Sequence, residues 1–163
     1  MDTTRDSHGC ATPQSCGVST ACVPAGRRPC IELTQAHRDE LGLADAVEGI
    51  AVSLAGEVDR FACLLVASSL LPKLRNSSTY EESTVFPALL PKDPKFEVSV
   101  LEADHMERDW LAQEVTDLLL VIGRAEKLDD PVAAQATLRA FATALRRHVT
   151  RESERLLPVM PEA

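Results

Sequence analysis

The chain has 163 residues, enough for one domain with a sizeable core, and 45% of them are apolar although only six are Phe, Trp or Tyr. A formal charge of −8 at pH 7 argues against nucleic acid as a partner. No uncharged apolar run approaches the roughly 18 residues of a membrane-spanning helix, so a membrane protein of that kind is excluded.

Residues 1–30 carry no sustained apolar periodicity and are rich in Ser, Thr, Gly and Pro, which predicts a disordered N-terminal tail. Cys10, Cys16, Cys22 and Cys30 fall in it at spacings that match no C-x-x-C zinc or redox pattern. They are expected to be incidental thiols, with redox or metal handling as the alternative. The opening Met1–Asp6 has neither a basic leader before an apolar core nor a lipidation motif, so a cytoplasmic protein is expected.

From Ile31 onward the pattern is helical, and abundant Ala and Leu favour helix over sheet. It breaks near Gly56, at Pro91–Pro94, and at Lys127–Pro131, where Asp130 is suited to cap a helix and Pro131 to begin it. The breaks predict four helices over about 31–54, 58–90, 95–124 and 131–157. Pro72 is expected to kink or divide the second helix near Leu71, and Asn76–Thr79 just after it is poor helix sequence. Cys63, in Phe61-Ala62-Cys63-Leu64-Leu65, reads as a buried, inert thiol.

His148 and Glu152 stand four positions apart with Pro158 six residues further on, and the same pattern occurs 71 residues earlier as Ser77, Glu81 and Pro87. A spacing of four stacks two side chains on one helix face, where an imidazole and a carboxylate can serve one metal centre. In an up-and-down bundle, residues at equal height on consecutive helices lie symmetrically about the intervening turn. The midpoint of His37 and Ser77 is residue 57, that of Glu81 and His105 is residue 93, and that of His105 and His148 falls between Glu126 and Lys127. All three midpoints coincide with predicted turns. His37, Ser77 with Glu81, His105, and His148 with Glu152 are therefore predicted to form one layer of an all-α four-helix up-and-down bundle. Taken singly, His37 and His105 would suit solvated positions among charged neighbours, and His148 would suit the end of a helix dipole. Mixed imidazole and carboxylate donors suit iron, manganese or zinc alike.

These residues carry a resemblance to the hemerythrin family, in particular its HHE cation-binding type, over about residues 31–160. Its carriers are Ala36-His37-Arg38, Glu81-Glu82-Ser83-Thr84-Val85-Phe86-Pro87, Ala103-Asp104-His105, and His148-Val149-Thr150-Arg151-Glu152. The resemblance implies a hemerythrin-like bundle holding one or two non-haem irons, with O2 or NO as the small-molecule partner. It implies that Glu81 and Glu152 bridge, that His105 and His148 ligate one iron with Asp109 as an addition, and that His37 ligates the other. Ser77 departs from the pattern, which has histidine there, and implies a weakened second metal position. Oxygen or nitric oxide sensing, or iron handling, is the leading expectation, with no catalytic residues beyond the metal ligands. The alternatives are a redox or iron–sulfur repair enzyme, and a metal-free bundle serving as an interaction module.

Overall fold

The computed structural model describes residues 29–93 and 96–160. Helix α1 spans Pro29–Ser53, α2 Arg60–Tyr80, α4 Val98–Gly123 and α5 Pro131–Leu156, with the short α3, Phe86–Leu89, continuing α2 after a π-helical turn at Glu81–Val85. Local chemistry sets the ends. Asp59 accepts from the Ala62 amide at the start of α2, and Asp130 accepts from the Val132 and Ala133 amides at the start of α5, where Pro131 takes the first position. Helix α4 closes on Ala125 at φ 61°, with the Glu126 amide reaching back to the Val121 carbonyl. The four long helices and three turns lie where the sequence predicts them. Among the described residues there are no strands, and no helix is long and apolar enough to cross a membrane.

Two expectations change. Helix α1 opens at Pro29, inside the predicted tail, and Cys30 packs against the apolar cluster at that end. The rest of the tail, with Cys10, Cys16, Cys22 and His8, lies outside the described residues. Pro72 does not divide the second helix, which runs through it to Tyr80. The carbonyl that Pro72 leaves without a partner is that of Ser68, an exposed residue, so water can satisfy it. The irregularity falls at Glu81–Val85 instead, where the Phe86 amide bonds the Glu81 carbonyl five residues back. This wide turn directly precedes Pro87, whose missing N–H and ring bulk would otherwise strain the α-helical register.

Helix α1 packs mainly on α5, and α2 mainly on α4, while the α1/α2 and α4/α5 seams are looser. Two apolar clusters fill the interior. The larger includes Leu43, Val47, Leu70, Leu74, Leu119, Leu138, Phe141 and Leu145, and the smaller Leu33, Val85, Phe86, Leu89, Leu101 and Leu156. Each fully buried Leu or Phe among them contributes about 1.5–3 kcal/mol. Between the clusters every long helix supplies buried polar groups at successive turns: His37 and Glu40, Ser77, Ser78 and Glu81, His105 and Arg108, His148 and Glu152. Burying so many polar and ionisable groups is costly unless they satisfy one another or a bound ion.

Candidate metal centre

The layer predicted from turn symmetry is present in the interior. His37 is 4% exposed, His105 3%, His148 7%, and Glu81 and Glu152 0%. Their donor atoms fall into two trios, His105–His148–Glu152 and His37–Glu81–Glu152, each with all atoms within 4.8 Å of one another. Glu152 belongs to both. Its Oε1 lies 3.1 Å from His105 Nε2, and its Oε2 lies 3.3 Å from His148 Nε2 and 3.4 Å from His37 Nε2. Glu81 Oε2 is 3.0 Å from His105 Nε2, while its Oε1 accepts from the Ser77 hydroxyl at 3.1 Å.

Outer contacts fix how the imidazoles face. His105 Nδ1 is 2.8 Å from Glu82 Oε1, and His37 Nδ1 is 2.9 Å from Ser153 Oγ, so both rings turn Nε2 inward. Orientation of ligand histidines by such partners is a general device of metal sites. Phe86 stacks on His105 with ring centres 6.0 Å apart, so the turn that reorganises the second helix also sets this ring. His37 Nε2, Glu81 Oε2 and Glu152 Oε2 are buried and complete no hydrogen bond. Three such atoms converging in one trio have the form of a cation site, and one imidazole with two carboxylates suits iron, manganese or zinc.

Electrostatics separate the histidines. Burial opposes a charge on His105, but Glu152, Glu81 and Glu82 outweigh it and lift its pKa to about 10. Both its nitrogens face carboxylates, as an imidazolium requires. Burial pushes His148 down to about 4, Glu152 opposing and Arg108 reinforcing the shift. Its Nε2 lies 3.0 Å from Arg108 Nη1, which can only donate, so the Nε2 lone pair faces the guanidinium. For His37 burial again opposes protonation, but Glu152 beside it raises the pKa. Glu152 itself is lowered, because His105 and His37 outweigh its burial. At pH 7, metal-free His105 is thus protonated at the atom a metal would take. Metal binding at the His105 trio should release about one proton, and apparent affinity there should rise from pH 6 to 8 by up to about tenfold per unit. Titration calorimetry in buffers of different ionisation enthalpy measures the release. Zero protons released would show that His105 is already neutral or does not ligate.

Asp109, expected as an added ligand, is not brought into either trio. It faces Arg75 at 3.4 Å and Arg108 at 3.6 Å and keeps partial exposure. The inward residue on that turn is Arg108, which the sequence reading missed. It is 5% exposed and donates to Glu40 at 3.4 Å, to the Leu74 carbonyl at 3.0 Å, and to the Ser78 hydroxyl. Glu40, also missed, is 1% exposed, and burial raises its pKa to about 7 despite Arg108. Each follows a site histidine by three positions, a spacing that shares its helix face, and that was the available signal. Tyr80 does not join the centre. Its side chain packs in the smaller cluster, and burial together with Glu32 raises its hydroxyl to about 12.

The family model described as the hemerythrin HHE cation binding domain matches residues 29–160. No curated protein and no solved structure matches the chain. With that match covering most of its length and a helical bundle enclosing two buried His/Glu trios, the chain belongs to the hemerythrin HHE cation-binding domain family.

Proposed function

We propose that the protein binds non-haem iron at the two trios that share Glu152, and uses it to sense oxygen or nitric oxide or to handle iron. The observation that carries this reading is the pair of overlapping buried ligand sets, together with His37 Nε2, Glu81 Oε2 and Glu152 Oε2, which complete no hydrogen bond. Iron held there supplies a redox-active centre able to take a diatomic ligand. The chain's own part is to present donors: Glu152 to both positions, His105 and His148 to one, His37 and Glu81 to the other. Glu82 and Ser153 hold the rings in place.

The two positions are unequal in this reading. On the His37 side Ser77 offers only a hydroxyl, already donated to Glu81. On the other side Arg108 occupies the His148 lone pair, so an ion there must displace it. A cytoplasmic setting fits the free thiols of Cys30 and Cys63, the latter buried as expected. Arg108 also lends weight to a second reading, a metal-free bundle in which guanidinium and imidazolium neutralise the carboxylates. Elemental analysis of protein purified without chelators separates the two. Iron at one ion or more per chain is the expected result. Protein that is folded, metal-free and unable to take up Fe(II) anaerobically would leave only the second reading.

A further inference from the structure

Among the described residues, five of the six buried side-chain atoms without a hydrogen-bond partner are carboxylate oxygens or an imidazole nitrogen: His37 Nε2, Glu40 Oε2, Glu81 Oε2, Asp109 Oδ1 and Glu152 Oε2. Asp109 is accounted for by its two arginines. Three of the others form the His37 trio. Glu40 Oε2 is the remaining one, and it stands outside the 4.8 Å trio as placed. Its position is nevertheless specific. Glu40 is one helical turn beyond His37 on α1, buried beside Ser77, and near enough to Glu81 and Glu152 for their charges to act on it. Its Oε1 is held by Arg108 and the Ser77 hydroxyl stands beside the carboxylate, while Oε2 completes no hydrogen bond.

A groove of about 370 Å³ between α1 and α2 reaches this point. Glu32 and Asp39 line it, and Glu40 and Ser77 are its buried members. The small Ser77 side chain leaves room where the family pattern has an imidazole. Lys73 also lines the groove, but the groove's carboxylates outnumber that one ammonium, and a net acidic groove that ends at a buried carboxylate suits a cation better than an anion.

We propose that Glu40 is a metal ligand of this chain, a carboxylate from the first helix that takes the place of the imidazole absent at Ser77 on the second. In this assignment Glu40 Oε2 would complete the donor set of His37, Glu81 and Glu152, with the Arg108 contact at Oε1 steadying the carboxylate. The position then has one imidazole and three carboxylates, a harder donor set than two imidazoles would give, and one that favours Fe(II) or Mn(II) over softer ions. This rests on the metal-centre reading above.

The test is anaerobic titration of the full-length metal-free protein with Co(II), followed by visible absorption and by competition with a chromophoric chelator. Glu40→Gln should weaken Co(II) binding at this position by about 10–100-fold or more and change the band intensities that report coordination. Adding Ser77→His to Glu40→Gln should restore most of that affinity, because it supplies the donor Glu40 replaces. A merely structural role for Glu40 as the partner of Arg108 would not be rescued in this way. Glu40→Asp keeps the charge beside Arg108 but shortens the reach; it too should bind weakly, and it decides the matter if Glu40→Gln does not fold. Wild-type affinity in either folded variant, or failure of Ser77→His to rescue, overturns the assignment of Glu40. If the unaltered protein takes up neither Co(II) nor Fe(II), the metal-centre reading itself falls, and Glu40 with it.

Discussion

Glu152→Gln should empty both metal positions at once, a result no other single ligand change is expected to give. Glu152 is the only residue common to both trios, and it is fully buried among His37, His105 and His148. The amide keeps the shape of the carboxylate but loses its charge, and its NH2 presents donors where a cation needs lone pairs. His37→Gln removes a donor from one trio alone, and His148→Gln from the other alone. Each should therefore leave residual metal, whereas Glu152→Gln should fall to background in elemental analysis after dialysis. The fold should survive with a lowered melting point, because His105 retains Glu81 and Glu82 as partners. Wild-type metal content in Glu152→Gln would mean that the ions sit elsewhere, and the trios would then be only a polar network.

The reason this centre was legible in the sequence is geometric. Antiparallel helices joined by short turns place residues at equal height when they are equidistant from the turn, so His37, Glu81, His105 and His148 could be aligned without coordinates. The i, i+4 spacing of His148 and Glu152 then fixed a shared face. What the sequence did not reveal depends on side-chain reach. Positions 108 and 109 flank the face of His105 on opposite sides, and spacing alone does not choose between them. Arg108 turns inward because its long side chain reaches the Leu74 carbonyl, Ser78 and Glu40 on other helices, while Asp109 has Arg75 available nearer the surface. Charged residues such as Glu40 and Arg108 are ordinarily solvated, so composition pointed away from them. The π-helical turn was hidden for a related reason. Pro87 signals that the helix must adjust, but not whether the adjustment is a break, a kink or a widened turn, and Pro72 shows that an exposed proline can pass without ending the helix.

Arg108→Met should be the most destabilising substitution among the polar residues of the layer. Methionine preserves most of the side chain's length and apolar packing, so the measured loss isolates the guanidinium. That group makes contacts on three other helices: Glu40 on α1, the Leu74 carbonyl and Ser78 on α2, and His148 on α5. Without it Glu40 loses the cation beside it, and the Leu74 carbonyl and the Ser78 hydroxyl lose a donor, and buried groups left unsatisfied in this way cost about 1–3 kcal/mol. Chemical denaturation of metal-free protein should show a loss of that order, with the slope against denaturant unchanged. Arg108→Lys should recover only part of it, since a single ammonium cannot serve contacts that a planar guanidinium meets with two separate nitrogens. The informative comparison is Arg108→Met combined with Glu40→Gln. With an amide in place of the Glu40 carboxyl, the part of the penalty that comes from this pair has no source, and the double variant should be more stable than Arg108→Met alone by about 0.5–3 kcal/mol. If the two losses simply add, the 3.4 Å contact between Arg108 and Glu40 carries little energy, and Arg108 is held in place by Leu74 and Ser78 instead.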